Sequence, residues 1–199
     1  KNKSALEGIK SLSSRFIGQM SKVQDPPKGQ IQSLINLYQQ GQLQQALDIA
    51  KQLLSQFPNS VTLYSICGVA NRGLGQFDAA ITSYKQAIKI KPDLAEAYYN
   101  IGNILQDKSD LEAAINSYKK AIKIKPDYAE AYNNIGVLLS DKGDLEASIE
   151  SYKQAIKIKP YFAEAHRHLS SVTEYEEPTQ HVVQMQNLHQ DKSITEEQR

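Results

Sequence analysis

The chain has 199 residues, 40% hydrophobic and 23% charged, an ordered composition that excludes collagen-like and disordered classes. Its 23 basic side chains against 22 acidic ones give a net charge of +1, which argues against a general nucleic-acid binder and leaves only a local patch. The single cysteine, Cys67, excludes an intramolecular disulfide and a multi-cysteine zinc site, and no apolar run reaches the ~18 residues that a bilayer span needs. No secretory signal is visible at the N-terminus, so a cytoplasmic location is expected.

Residues 4–23, SALEGIKSLSSRFIGQMSKV, place Leu6, Ile9, Leu12, Phe16, Met20 and Val23 on one helical face. We expect a separate N-terminal element, residues 1–25, that caps the adjoining helices. Docking on a second copy or on an anionic membrane are the alternatives. Charge is biased at the ends: residues 1–30 are net basic and residues 163–199 net acidic. Two solvated ends explain this more simply than attraction between ends or copies.

From residue 27 a repeat governs the chain. Pro58, Pro92, Pro126 and Pro160 are 34 residues apart, and residues 95–128 agree with 129–162 at 24 of 34 positions. Each unit reads as two helices. AEAYYNIGNILQDK carries apolar residues at helical spacing in Tyr98, Ile101 and Leu105, and LEAAINSYKKAIKI does so in Leu111, Ile115, Tyr118 and Ile122. Gly75 and Gly143 fall in the turns between paired helices, where a left-handed backbone is needed. Ser109 stands there in the middle unit, so a looser turn is expected. The second helices before Pro92, Pro126 and Pro160 end in Lys-Ile-Lys-Pro, and the proline separates the units.

The pattern Tyr98, Ile101, Gly102, Ala114, Tyr118, Ala121, Pro126 resembles the tetratricopeptide repeat (TPR) family. So do its counterparts Tyr64, Cys67, Gly68, Ala80, Tyr84, Ala87, Pro92 and Tyr132, Ile135, Gly136, Ser148, Tyr152, Ala155, Pro160. An earlier copy keeps Gly41, Leu43, Ala46 and Pro58 but has Ala50 where an aromatic is usual. The resemblance implies an all-α, right-handed superhelical solenoid of stacked antiparallel helix pairs, with about four repeats and a partial fifth helix over 27–175. Stacking is the physical requirement, because one amphipathic pair cannot bury its apolar face alone. Small residues beside large tyrosines then serve packing, and Cys67 reads as a small buried thiol.

Catalytic patterns are missing. The glycines recur once per repeat rather than as a phosphate loop, no nucleophile elbow occurs, and His166, His168, His181 and His189 lack zinc spacing. No enzyme activity, cofactor or metal is expected of this chain. Asp107 with Asp110 and Asp141 with Asp144 could pass for acid pairs. Their recurrence at helix ends makes them structural, with Asp110 and Asp144 at helix N-termini. The nine lysines Lys85, Lys89, Lys91, Lys119, Lys123, Lys125, Lys153, Lys157 and Lys159 form a stripe that suits the C-terminal ends of helices better than a polyanion.

The resemblance implies that the inner, concave face is lined by positions 2, 5, 6, 9, 12 and 13 of each first helix. These are Thr62, Ser65, Ile66, Val69, Arg72 and Gly73, then Glu96, Tyr99, Asn100, Asn103, Gln106 and Asp107, then Glu130, Asn133, Asn134, Val137, Ser140 and Asp141. The partial unit adds Glu164, Arg167 and His168. Asn100 and Asn134 resemble the asparagine ladder with which such proteins grip a peptide backbone, since a carboxamide donates and accepts at once. Tyr99 is a flat anchor. The expected peptide-binding set is therefore Glu96, Tyr99, Asn100, Asn103, Gln106, Asp107, Glu130, Asn133, Asn134, Val137, Asp141 and Arg167. Its acids lead us to expect a polar or basic partner segment, and replacement of Asn100 and Asn134 is expected to leave stability nearly unchanged. The two-carboxylate clamp of chaperone-tail TPR domains is not matched, because Tyr99, Glu164 and His168 stand where that clamp has cations.

Beyond the repeats, Glu177-Pro178-Thr179 reads as a breaker and cap before a short helix with Val182, Val183, Met185 and Leu188. Residues 193–196 read as a capping box with little helix after it. Residues 176–199 are therefore expected to begin a continuation beyond Arg199. AEAHRHLSSVTEYEEP resembles the exit from the repeats in larger bacterial TPR proteins, some with sulfotransferase- or glycosyltransferase-like domains downstream. The expected function is a non-catalytic protein-binding scaffold. The alternatives are the substrate-recognition arm of such a transferase, and self-association as a homo-oligomer through the N-terminal helix.

Overall fold

The structure is a computed structural model and describes residues 25–173. The described residues form α1 (Lys28–Gln39), α2 (Leu43–Leu54), α3 (Val61–Gly73), α4 (Phe77–Ile90), α5 (Ala95–Asp107), α6 (Leu111–Ile124), α7 (Ala129–Asp141), α8 (Leu145–Ile158) and α9 (Ala163–Val172), with no strand among them. The amphipathic stretch at 4–23, the segment after Pro178 and the capping box at 193–196 lie outside the described residues. The chain divides into two compact units, unit 1 ending at Pro92 and unit 2 beginning at Asp93. In unit 1, α1 to α4 pack each against the next; in unit 2, α5 to α9 do the same, and α7 also meets α9.

Local chemistry sets the helix limits. Asp110 and Asp144 cap α6 and α8, their carboxylates accepting from the Ala113 and Ala147 N–H groups at 3.2 and 3.3 Å. Ser60 caps α3 by accepting from the Leu63 N–H at 3.0 Å, while its hydroxyl donates to Asp25. Each cap satisfies a backbone donor that the first helical turn leaves open. At the other end Lys91, Lys125 and Lys159 leave the helix with φ between −124° and −128° and ψ near +90°. The following proline requires that extended backbone.

The turns within pairs share one geometry. Gly75 and Gly143 have φ of 70° and 80°, and Ser109 has φ 60°. The Ser109 N–H reaches the Gln106 carbonyl at 2.8 Å and the Asp110 N–H reaches that of Leu105 at 2.8 Å. Gly143 and Asp144 make the matching pair at 2.9 Å each, to Ser140 and Leu139. The looser turn expected at Ser109 is therefore corrected: both bonds of the helix-terminating motif form, and the serine adopts the left-handed backbone instead.

Each unit buries its own core. In unit 1, Leu34, Leu47, Ala50, Leu53, Leu63, Ile66, Cys67 and Ala70 pack together. In unit 2, Ala114, Ile115, Tyr118 and Ala121 of α6 meet Ile135 and Leu138 of α7, and Ala129, Ala155, Phe162 and Ala165 close the end at α9. Tyr84, Tyr118 and Tyr152 are fully buried, whereas Tyr64, Tyr98 and Tyr132 are half-buried. The first three lie over glycines of the preceding helix. A Cβ on Gly68, Gly102 or Gly136 would fall 2.5–2.6 Å from the facing ring. That contact is too close for any side chain, so helix spacing within a pair is set by ring thickness. Burial pushes the Cys67 thiol up to about 11, as a core position requires.

Candidate functional site

In unit 2 the exposed faces of the first helices, α5, α7 and α9, are joined by side-chain hydrogen bonds. Asn134 of α7 donates from Nδ2 toward Asn103 Oδ1 at 3.1 Å, Tyr99 Oη at 3.3 Å and Tyr118 Oη at 3.3 Å. Tyr118 rises from the buried face of α6, and its hydroxyl donates to Asn103 Oδ1 at 2.8 Å or Gln106 Oε1 at 3.0 Å. One proton serves one acceptor at a time, so the nearer Asn103 is favoured. Asn133 Nδ2 approaches Asn134 Oδ1 at 3.5 Å, and Asn133 Oδ1 lies 3.0 Å from Nδ1 of His168 on α9.

Aromatic rings frame this network. Tyr99 stacks on Tyr128 with centroids 4.8 Å apart and planes 29° from parallel, and tilts against Tyr118 at 5.6 Å. Burial raises the Tyr128 hydroxyl pKa, with Tyr99, Glu96 and Glu130 adding to the rise. The His168 ring lies 5.5 Å from that of Tyr152. Burial holds the His168 imidazole below the usual histidine value, Arg167 pushes it the same way, and Glu164 opposes them.

The expected residues separate into four groups. Tyr99, Asn103, Gln106, Asn133 and Asn134 come together in the network, although Asn133 is buried at 2% exposure. Asn100 is half-buried and makes no side-chain hydrogen bond among the described residues, so its carboxamide is uncommitted. Val137 is half-buried; Glu96, Asp107, Asp141 and Arg167 are exposed. Glu130 is held by Lys159 at 3.4 Å, and Lys159 also sits 4.7 Å over the Phe162 ring. Glu130 is thus ion-paired at the surface and not a free carboxylate.

Asn134 is bonded within the fold, so its removal is now expected to lower stability. One expected position is corrected. Ile66, expected on the inner face of unit 1, belongs to the core. The network also includes Tyr118, which sequence reading assigned to packing alone. The available signal was Asn103 and Gln106 at positions 9 and 12, above the ring that Gly102 admits. His168 stands 34 residues after Asn134, in the same column, a spacing that put it on the inner face but not in the expected peptide-binding set. In unit 1 the equivalent of Asn103 is Val69, and the buried Tyr84 hydroxyl has no hydrogen-bond partner among the described residues. Among the described residues no three His, Cys, Asp or Glu side chains are grouped to hold a metal, and no helix is long and apolar enough to cross a membrane.

The tetratricopeptide repeat family matches residues 34–60, 71–109, 102–143 and 129–162, together more than half of the chain. No curated protein matches the sequence. Among solved structures, a crystal structure of MamA is 26% identical with a TM-score of 0.70, over 79% of this chain and 95% of that one. MamA from Desulfovibrio magneticus RS-1 (residues 41 to the end) is 20% identical with a TM-score of 0.70, over 84% and 97%. YrrB, described as a TPR protein with an unusual peptide-binding site, is 16% identical with a TM-score of 0.61, over 87% and 91%. The likeness to the last two is one of fold.

Proposed function

Because the chain belongs to the tetratricopeptide repeat family, whose stacked helix pairs serve protein–protein interaction, we propose that the first-helix face of unit 2 binds an extended segment of another protein. The observation that carries this reading is the row of partly exposed side chains Tyr99, Asn103 and Asn134, joined to His168 of α9 through the buried Asn133. A backbone presents donors and acceptors in alternation, and carboxamides meet both irrespective of side chain. Asn100 is the direct contact, since its carboxamide is uncommitted, and Tyr99 offers a ring already oriented by Tyr128. The preferred segment is polar or basic, because Glu96 and Asp141 expose carboxylates on these helices.

The test uses a peptide selected from a random display library on the immobilised protein. Added to the 15N-labelled chain, it should shift resonances of Tyr99, Asn100 and Asn103 and leave those of Lys123 and Lys157 in place. The reverse pattern would move the site to the basic stripe.

A further inference from the structure

A carboxamide has an acceptor on one side and donors on the other, so in a hydrogen-bonded file of amides each member dictates how the next must point. Unit 2 contains such a file: His168 Nδ1 to Asn133 Oδ1 at 3.0 Å, Asn133 Nδ2 to Asn134 Oδ1 at 3.5 Å, and Asn134 Nδ2 to Asn103 Oδ1 at 3.1 Å. It crosses from α9 through α7 to α5 and begins at the one member whose hydrogen-bonding sense depends on its charge. A neutral imidazole donates or accepts at Nδ1 according to its tautomer, whereas an imidazolium only donates.

We propose that His168 is a positioning residue of the binding face: by donating to Asn133 it holds the carboxamides of Asn133 and Asn134 in one sense, and protonation of its ring locks that sense and the direction in which a partner backbone lies. This rests on the reading of the first-helix face as a binding site. In the observed sense Asn134 Nδ2 is committed to Asn103 and the two tyrosine hydroxyls, while Asn134 Oδ1 takes only the long bond from Asn133. An acceptor is thereby left for a partner N–H. Asn103 Oδ1 receives Asn134 and Tyr118, and its Nδ2 has no hydrogen bond among the described residues. A donor is left there for a partner carbonyl. Reversing the file exchanges the two, and a backbone matched to the first sense would then set donor against donor at Asn134 and acceptor against acceptor at Asn103.

The groups that face His168 are Arg167 and Glu164 on its own helix, Tyr152 on α8 and Asn133 on α7, with Asp141 of α7 acting on the Tyr152 hydroxyl. With its pKa below the usual value, the ring is neutral in mildly alkaline solution and gains its proton in mild acid. A partner that fits the donating sense favours the protonated ring and raises its pKa on binding. Affinity therefore increases as pH falls through the His168 pKa.

The experiment follows the side-chain amide resonances of Asn133, Asn134 and Asn103 in the 15N-labelled full chain from about pH 8 to about pH 5, beside the imidazole signals of His168. They should titrate together, and in His168→Gln the amides should stay still. Amides that ignore the His168 titration, or that move equally in His168→Gln, overturn the proposal. The display-selected peptide should bind the wild type about 3- to 10-fold more tightly at the acid end, the factor by which a fractionally populated binding sense lowers affinity. His168→Arg, a donor at every pH, should bind tightly at both ends, and equal wild-type affinity at both ends counts against the proposal. Should the peptide instead perturb Lys123 and Lys157, the binding-face reading fails, while the amide titration still decides whether His168 orients the file.

Discussion

Gly136 lies directly beneath the Tyr152 ring: a Cβ there would stand 2.6 Å from Cε1 and 2.7 Å from Cδ1. The ring is fully buried and cannot swing aside, so an added methyl must push α7 and α8 apart. Gly136→Ala should therefore lower stability by about 1–3 kcal/mol from overpacking, less the ~1 kcal/mol that alanine gains over glycine in a helix. Gly29 in α1, with nothing within 4 Å of a new Cβ, is the control. Gly29→Ala should be neutral or slightly stabilising, and denaturant midpoints for the two variants would show the contrast.

Ser109 occupies a left-handed backbone that glycine adopts at no steric cost. Its side chain is exposed, so little is lost with it. Ser109→Gly should raise stability by about 1 kcal/mol, and Gly143→Ser should lower it by a similar amount. Thermal unfolding of the two single variants would check both signs.

Asn134 and Asn100 occupy the same repeat position with different duties. Removing the Asn134 carboxamide strips a donor from Asn103, Tyr99 and Tyr118, so Asn134→Ala should cost about 1–3 kcal/mol of stability. Asn100→Ala should leave unfolding unchanged and weaken the display-selected peptide severalfold. Equal effects of the two substitutions on stability would contradict this division.

Cys67 is buried with its thiol pKa pushed up to about 11. At pH 8 only about one thiol in a thousand would be ionised, and the thiolate is the reacting form. A thiol reagent should modify the native chain slowly at mildly alkaline pH and at full rate in denaturant. The rate should then report unfolding, and fast native modification would show Cys67 to be accessible.

The architecture was legible in the chain because it rests on local rules repeated at a fixed period. Prolines 34 residues apart end the second helices, Asp110 and Asp144 cap them, and apolar residues recur at helical spacing. Each signal acts within a few residues of itself. The small residues at 68, 102 and 136 likewise foretold close helix approach, and the structure supplies the partner ring in each case.

What the tertiary structure alone decided is how each polar side chain spends its hydrogen bonds. Asn100 and Asn134 are equivalent by position in the sequence, yet one is uncommitted and the other bonds four neighbours. That difference depends on residues up to 35 positions away, Tyr99 and Asn103 behind Asn134, and His168 35 positions after its neighbour Asn133. Periodicity specifies which face a residue occupies, but a hydrogen bond is met only to within a few tenths of an ångström and at a suitable angle. Such geometry exists only after the helices have packed, which is why the network, the burial of Asn133 and the bond from His168 to Asn133 appear in the fold and not in the repeat.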